Sequence, residues 1–161
     1  MSKKFTLSDI TRQAVVAAIY IAVSLFPPFA SIAYGPVQFR FAEILMVLPF
    51  LNKKYTVGLV VGCFITNIFS PMFLFDMAFG TLATLIACVI IIKVNQKYLI
   101  SIIAAVVNGI IVGLELRFVL GLPLMFSALT VAAGELVVVS VGILLVVLAE
   151  KNKYIYTLLN K

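Results

Sequence analysis

Apolar residues run through this chain in long blocks separated by short polar breaks. The blocks fall at residues 10–26, 41–51, 55–69, 72–92, 99–120 and 122–148. Runs of about 18 or more apolar residues predict helices that cross a hydrocarbon layer of roughly 30 Å at about 1.5 Å per residue. The last three blocks are long enough for that. The second is not. Even counted from Gln38, as 38–51, its apolar part begins only at Phe41 and is interrupted by Pro49. As an α-helix that part covers only about 17 Å. The chain before it, residues 27–40, opens on Pro27-Pro28 and is expected to fold back into the protein. Irregular backbone at membrane depth is tolerated only where protein or a polar cavity covers it. The pattern therefore predicts one all-α integral membrane domain over 1–161, a compact six-transmembrane-helix bundle. It contains no internal repeat, low-complexity tract or separate soluble domain.

The placement of basic residues supports the count of six. Lys3, Lys4 and Arg12 precede the first block, Lys53 and Lys54 follow the second, Lys93 and Lys97 follow the fourth, and Lys151, Lys153 and Lys161 follow the sixth. With six crossings all of these fall on one side, and only Arg40 and Arg117 fall on the other. The excess of basic residues on cytoplasmic loops then puts both termini in the cytoplasm of a multi-pass membrane protein. Five or seven crossings would scramble the pattern. A cleaved leader is the competing reading of the first block, with Ser31-Ile32-Ala33 ahead of Tyr34 partly fitting a cleavage site. Cleavage would leave five spans and put the termini on opposite sides.

Composition narrows the class further. The chain is 64% hydrophobic and 11% charged, against about 25% charged in a soluble domain. That is more apolar surface than one aqueous core of this size can bury. The net charge of +6 follows from the placement just described, so the expected surroundings are a lipid bilayer and no nucleic acid. The chain has no histidine, the commonest metal ligand and general base. Cys63 and Cys88 lie inside apolar blocks without CxxC spacing. No metal or other cofactor is expected. No GxxxxGK[ST] loop, HExxH or GxSxG occurs, so the chain is read as a non-enzyme that draws any energy from elsewhere.

Small residues recur at helical spacing. Gly58 and Gly62, and Gly109 and Gly113, are expected to let neighbouring helices of the bundle approach closely. Ala14, Ala18 and Ala22 form a stripe on one face of the first helix. Spacing alone leaves open whether that stripe packs inside the bundle or meets another protein.

Among the acidic residues, Asp9 and Glu150 flank the blocks and are expected to be solvated ends. Glu43, Asp76, Glu115 and Glu135 lie inside or at the edge of apolar blocks. A charge at a helix centre costs about 2.5–3.5 kcal/mol on insertion scales, and such groups usually mark a site or a pathway. In the six-span arrangement Arg40, Glu43, Asn67, Asp76, Glu115 and Arg117 sit toward the outer side, with Asn108 and Glu135 near the middle. A pocket open to the outside is the reading favoured for the set. For single residues other readings stay open: Arg40 and Glu43 as a local pair, Arg117 reaching the headgroups, Asp76 capping its helix. Four acids against two arginines suit a cationic or donor-rich solute. Carboxylates and the amides of Gln38, Asn67 and Asn108 would read it, while Tyr34, Phe39, Phe75 and Phe79 are candidates for stacking on a flat ring. The candidate solute-binding set is Tyr34, Gln38, Arg40, Glu43, Asn67, Asp76, Phe79, Asn108, Glu115 and Glu135.

The segment YGPVQFRFAEILMVLPF, followed by VGLVVGCFITNIFSP and DMAFGTLATL, resembles the QueT family, the substrate-binding (S) components of energy-coupling factor transporters. The resemblance covers nearly the whole chain. It implies a compact six-helix protein that takes up a micronutrient from outside under a loop. It also implies docking on the membrane scaffold EcfT and drive by paired cytoplasmic ATPases. Ala14, Ala18 and Ala22 match the family's docking stripe. The implied solute is a queuosine precursor such as an aminomethyl deazaguanine, which is flat, donor-rich and cationic. Two other functions compete: a stand-alone proton-coupled carrier using Glu43, Glu115 or Glu135, and an assembly protein whose polar residues only join helices.

Overall fold

The computed structural model describes residues 6–33 and 38–160. Tyr34 lies outside the described residues. The described residues form helices, with no strand among them.

Helix α1, Leu7–Leu25, starts in a reciprocal cap: Thr6 Oγ accepts from the Asp9 N–H at 3.2 Å, and the Asp9 carboxylate accepts from the Thr6 N–H at 2.8 Å. It stops at Phe26 because Pro27 follows. The two prolines instead open α2, Pro27–Ala33, in a first turn where their missing N–H groups cost nothing. Helix α3, Phe41–Leu51, is wound as a 3-10 helix over Phe41–Val47 and as an α-helix over Leu48–Leu51. The tighter winding rises about 2.0 Å per residue, so the element reaches further than its length as an α-helix suggests. Helix α4 is Tyr55–Asn67. Helix α5, Phe73–Ile91, contains one π-helical turn at Asp76–Gly80. Helix α6, Leu99–Leu120, ends on Gly121, whose φ of 69° is the left-handed conformation that suits glycine at this position. Helix α7 is Leu124–Glu150, and α8 is Lys153–Asn160.

Four of these helices, α1, α5, α6 and α7, are long and apolar enough to cross a membrane, and α3 and α4 are shorter apolar helices. Large apolar side chains such as Ile110, Leu129 and Leu144 are exposed around the bundle, as lipid-facing positions would be.

Both glycine pairs pack inside the bundle. A Cβ at Gly58 would meet the Gln13 carbonyl, and one at Gly62 would meet Tyr20, so α4 lies close along α1 and parallel to it. A Cβ at Gly109 or Gly113 would meet Ala132 or Ala128, so α6 and α7 run antiparallel in close contact. Gly142 and Gly134 of α7 do the same for the carbonyls of Ile44 and Gln38. Gln38 is therefore drawn inward against α7. Ala14, Ala18 and Ala22 occupy the opposite face of α1 and are exposed.

Asp9 departs from the expectation of a solvated end. It is 5% exposed and bridged to Lys54 at 2.6 Å, because parallel packing sets the start of α4 beside the start of α1. Glu150 is half-buried and accepts from Lys97 at 2.5 Å, a contact that holds the Lys97 ammonium above the usual lysine range.

Candidate functional site

Two groups of buried polar side chains meet where α3, the π-turn of α5, α6 and α7 converge. In the first, the polar groups bond chiefly to one another. Arg40 Nη2 donates to Asp76 Oδ1 at 2.9 Å, and the pair is almost wholly buried. Ser70 Oγ donates to the other Asp76 oxygen. Asn67 Nδ2, at the end of α4, donates to the Asp76 main-chain carbonyl at 2.8 Å. Gly80 makes room for this arrangement: a Cβ there would lie 2.8 Å from Asn67 Nδ2 and 3.0 Å from Arg40 Nη1. The π-turn thus presents Asp76 to Arg40 and a side-chain-free surface to Arg40 and Asn67. Single π-turns of this kind are often found at functional sites.

The second group is not satisfied. Glu43 accepts from Tyr20 Oη at 2.5 Å through Oε1, and its Oε2 is buried without a hydrogen-bond partner among the described residues. Oε2 of Glu135, Nδ2 of Asn108, both amide atoms of Gln38 and Oγ of Ser127 are in the same state, and so are both oxygens of Glu115, whose carboxyl lies beside that of Asp76. Glu115 lies within electrostatic reach of Asp76 and Arg40, and Glu135 within reach of Glu43 and Arg40. Helical spacing explains the alignment: Asn108, Val112 and Glu115 share the buried face of α6, and Ser127, Val131 and Glu135 that of α7. A buried polar atom left unpaired costs about 1–3 kcal/mol, and more if charged, so a cluster of them marks a candidate binding site.

The sequence-derived set therefore divides. Arg40, Asn67 and Asp76 bind one another, whereas Gln38, Glu43, Asn108, Glu115 and Glu135 retain unpaired atoms. Arg40 bonds Asp76 rather than forming a simple local pair with Glu43. Asp76 gives its carboxylate oxygens to Arg40 and Ser70 rather than to the start of its helix. Phe39 and Phe79 are half-buried, while Phe75 is exposed. Phe39 continues an aromatic string with Phe41 and Phe29, whose ring centres are 5.6 and 4.3 Å apart along the series. Arg117 is exposed and donates to the Gly121 carbonyl at 3.2 Å, closing the end of α6. Sequence reasoning passed over Tyr20, Ser70, Gly80 and Ser127. Tyr20 carried a readable signal, a hydroxyl inside an apolar block that needs a partner. The roles of Ser70 and Gly80 depend on contacts across the bundle.

The profile of the QueT transporter family matches residues 10–151. The chain belongs to that family. A curated relative, the queuosine precursor transporter QueT of Lactococcus lactis subsp. cremoris (strain MG1363), is 30% identical over 154 residues, covering 87% of this chain and 90% of the relative. No solved structure matches the chain. Family and helices together make this a multi-pass membrane protein of a transporter family.

Proposed function

We propose that this chain is the solute-binding S component of an energy-coupling factor transporter, taking a queuosine precursor of the aminomethyl deazaguanine class from outside the cell. The observation that carries the reading is the unpaired set of Glu43, Glu115 and Glu135 with the amides of Gln38 and Asn108, buried inside the bundle. An ammonium group and the N–H edge of a guanine-like ring supply the donors that these carboxylates lack, and the amides read the remaining edge. The relative's printed substrate agrees with that chemistry. In this reading the chain crosses the membrane six times, counting α3 and α4, with both termini cytoplasmic. The Asp9–Lys54 and Lys97–Glu150 contacts, which gather basic residues at helix ends, support it.

The exposed Ala14, Ala18 and Ala22 face supports docking of α1 on the EcfT scaffold, since small residues let helices approach closely in lipid. Paired ATPases then supply the energy, and the chain itself does no chemistry. The test is uptake of the labelled precursor by cells carrying this chain with and without scaffold and ATPases. Uptake only in their presence is expected. Equal uptake in both, abolished by collapsing the proton gradient, would instead establish a stand-alone carrier.

A further inference from the structure

Tyr20 stands outside every role assigned so far, yet from α1 it touches a pocket carboxylate. It is 2% exposed. Its position is fixed from behind by Gly62, where a Cβ would come within 2.9 Å of Tyr20 Cβ and 3.1 Å of Cγ. From that seat its hydroxyl lies 2.5 Å from Glu43 Oε1. A hydroxyl donating to a carboxylate makes a short, strong bond. It occupies one oxygen and fixes the rotation of the group. The other oxygen, Oε2, is buried and accepts no hydrogen bond of ordinary geometry among the described residues, since the neighbouring Thr84 hydroxyl donates to the Gly80 carbonyl. Glu43 itself sits in the 3-10 winding of α3, where residues three apart eclipse and Met46 lies behind it, also fully buried.

We propose that Tyr20 is a positioning residue for solute binding: it commits Oε1 of Glu43 and so aims Oε2 at one N–H of the solute. This rests on the solute reading given above. Without Tyr20 nothing fixes the rotation of the carboxylate, which also feels the attraction of the Arg40 charge, and the aimed acceptor is lost. A purely structural tyrosine would contribute to stability alone, and its effect on affinity would not depend on what stands at position 43.

The experiment is a double-mutant cycle on the purified full chain, titrated calorimetrically with aminomethyl deazaguanine, with thermal unfolding of each protein measured alongside. Tyr20→Phe is expected to weaken binding about tenfold. Glu43→Met, similar in size and without an acceptor, weakens it further, and adding Tyr20→Phe to it changes nothing more. Equal losses from Tyr20→Phe in both backgrounds, or no loss in the wild-type background, overturn the proposal. Should Glu43→Met fail to fold, Glu43→Gln replaces it. There the bond to Tyr20 is uncharged, and the loss from Tyr20→Phe is expected to shrink to about threefold or less. An undiminished loss overturns the proposal. A wild-type chain that does not bind this probe overturns the solute reading itself and the proposal with it, whereas tight wild-type binding with additive losses overturns only the role of Tyr20.

Discussion

The Arg40–Asp76 group and the Glu43–Glu115–Glu135 group lie within electrostatic reach of each other, are built from the same residue types and are equally dry, yet they are finished to different degrees. In the first, each Asp76 carboxylate oxygen has a donor, and its main-chain carbonyl has Asn67. In the second, carboxylate and amide atoms are buried and unmatched. Charge at membrane depth is tolerated in both cases, but for different reasons. The first group ties the segment after α2 to the π-turn of α5. The second retains unmatched hydrogen-bonding capacity, which in the proposed function a solute takes up. Burial alone does not separate the two groups, whereas the partners of their carboxylates do.

The largest expected effect is on the finished group. Removing one member of a buried ion pair leaves the other uncompensated, at a cost of about 3–5 kcal/mol. Arg40→Ala is therefore expected to lower the unfolding temperature sharply in detergent, by scanning calorimetry, whether or not solute is present. A small change in stability accompanied by lost binding would move Arg40 to the unfinished group. Next comes Glu135→Gln. It is expected to leave the unfolding temperature close to wild type while weakening precursor binding about 10- to 100-fold in equilibrium dialysis, the size of a hydrogen bond to a charged group. Gly80→Ala tests the space on which the finished group depends. Its new methyl meets Asn67 and Arg40, and a loss of about 1–3 kcal/mol in denaturant unfolding is expected. The smallest effect on the isolated chain is expected for Ala18→Leu. Its exposed position predicts a stability change within about 0.5 kcal/mol and unchanged binding, with uptake lost in cells that carry scaffold and ATPases. Normal co-purification with the scaffold would remove the docking role.

Much of this was legible in the sequence. The apolar blocks matched the six longer helices to within a few residues, because length and hydropathy decide membrane helices with little help from tertiary contacts, whereas the short helices Pro27–Ala33 and Lys153–Asn160 lie outside them. The Gly58–Gly62 and Gly109–Gly113 pairs announced close packing because small residues at helical spacing let helix backbones approach. The winding of α3 and the π-turn of α5 were not legible, since both depend on how neighbouring helices receive the backbone. The division of the polar residues was hidden as well. Arg40 has Glu43 three residues away in the sequence, and its partner Asp76 lies 36 residues away. Asp9 looked like a free end until the parallel packing of α1 and α4 brought Lys54 to it. Sequence told which residues were costly to bury. Only the fold told which of those costs had already been met.

The central claim, that the unfinished carboxylates hold the solute, is tested most directly by calorimetric titration of the purified chain with aminomethyl deazaguanine, wild type beside Glu135→Gln, at matched unfolding temperatures. Saturable binding by the wild type and a loss of at least about tenfold in the variant is the expected result. Equal affinities in the two proteins, or no binding by a well-folded wild type, would contradict it.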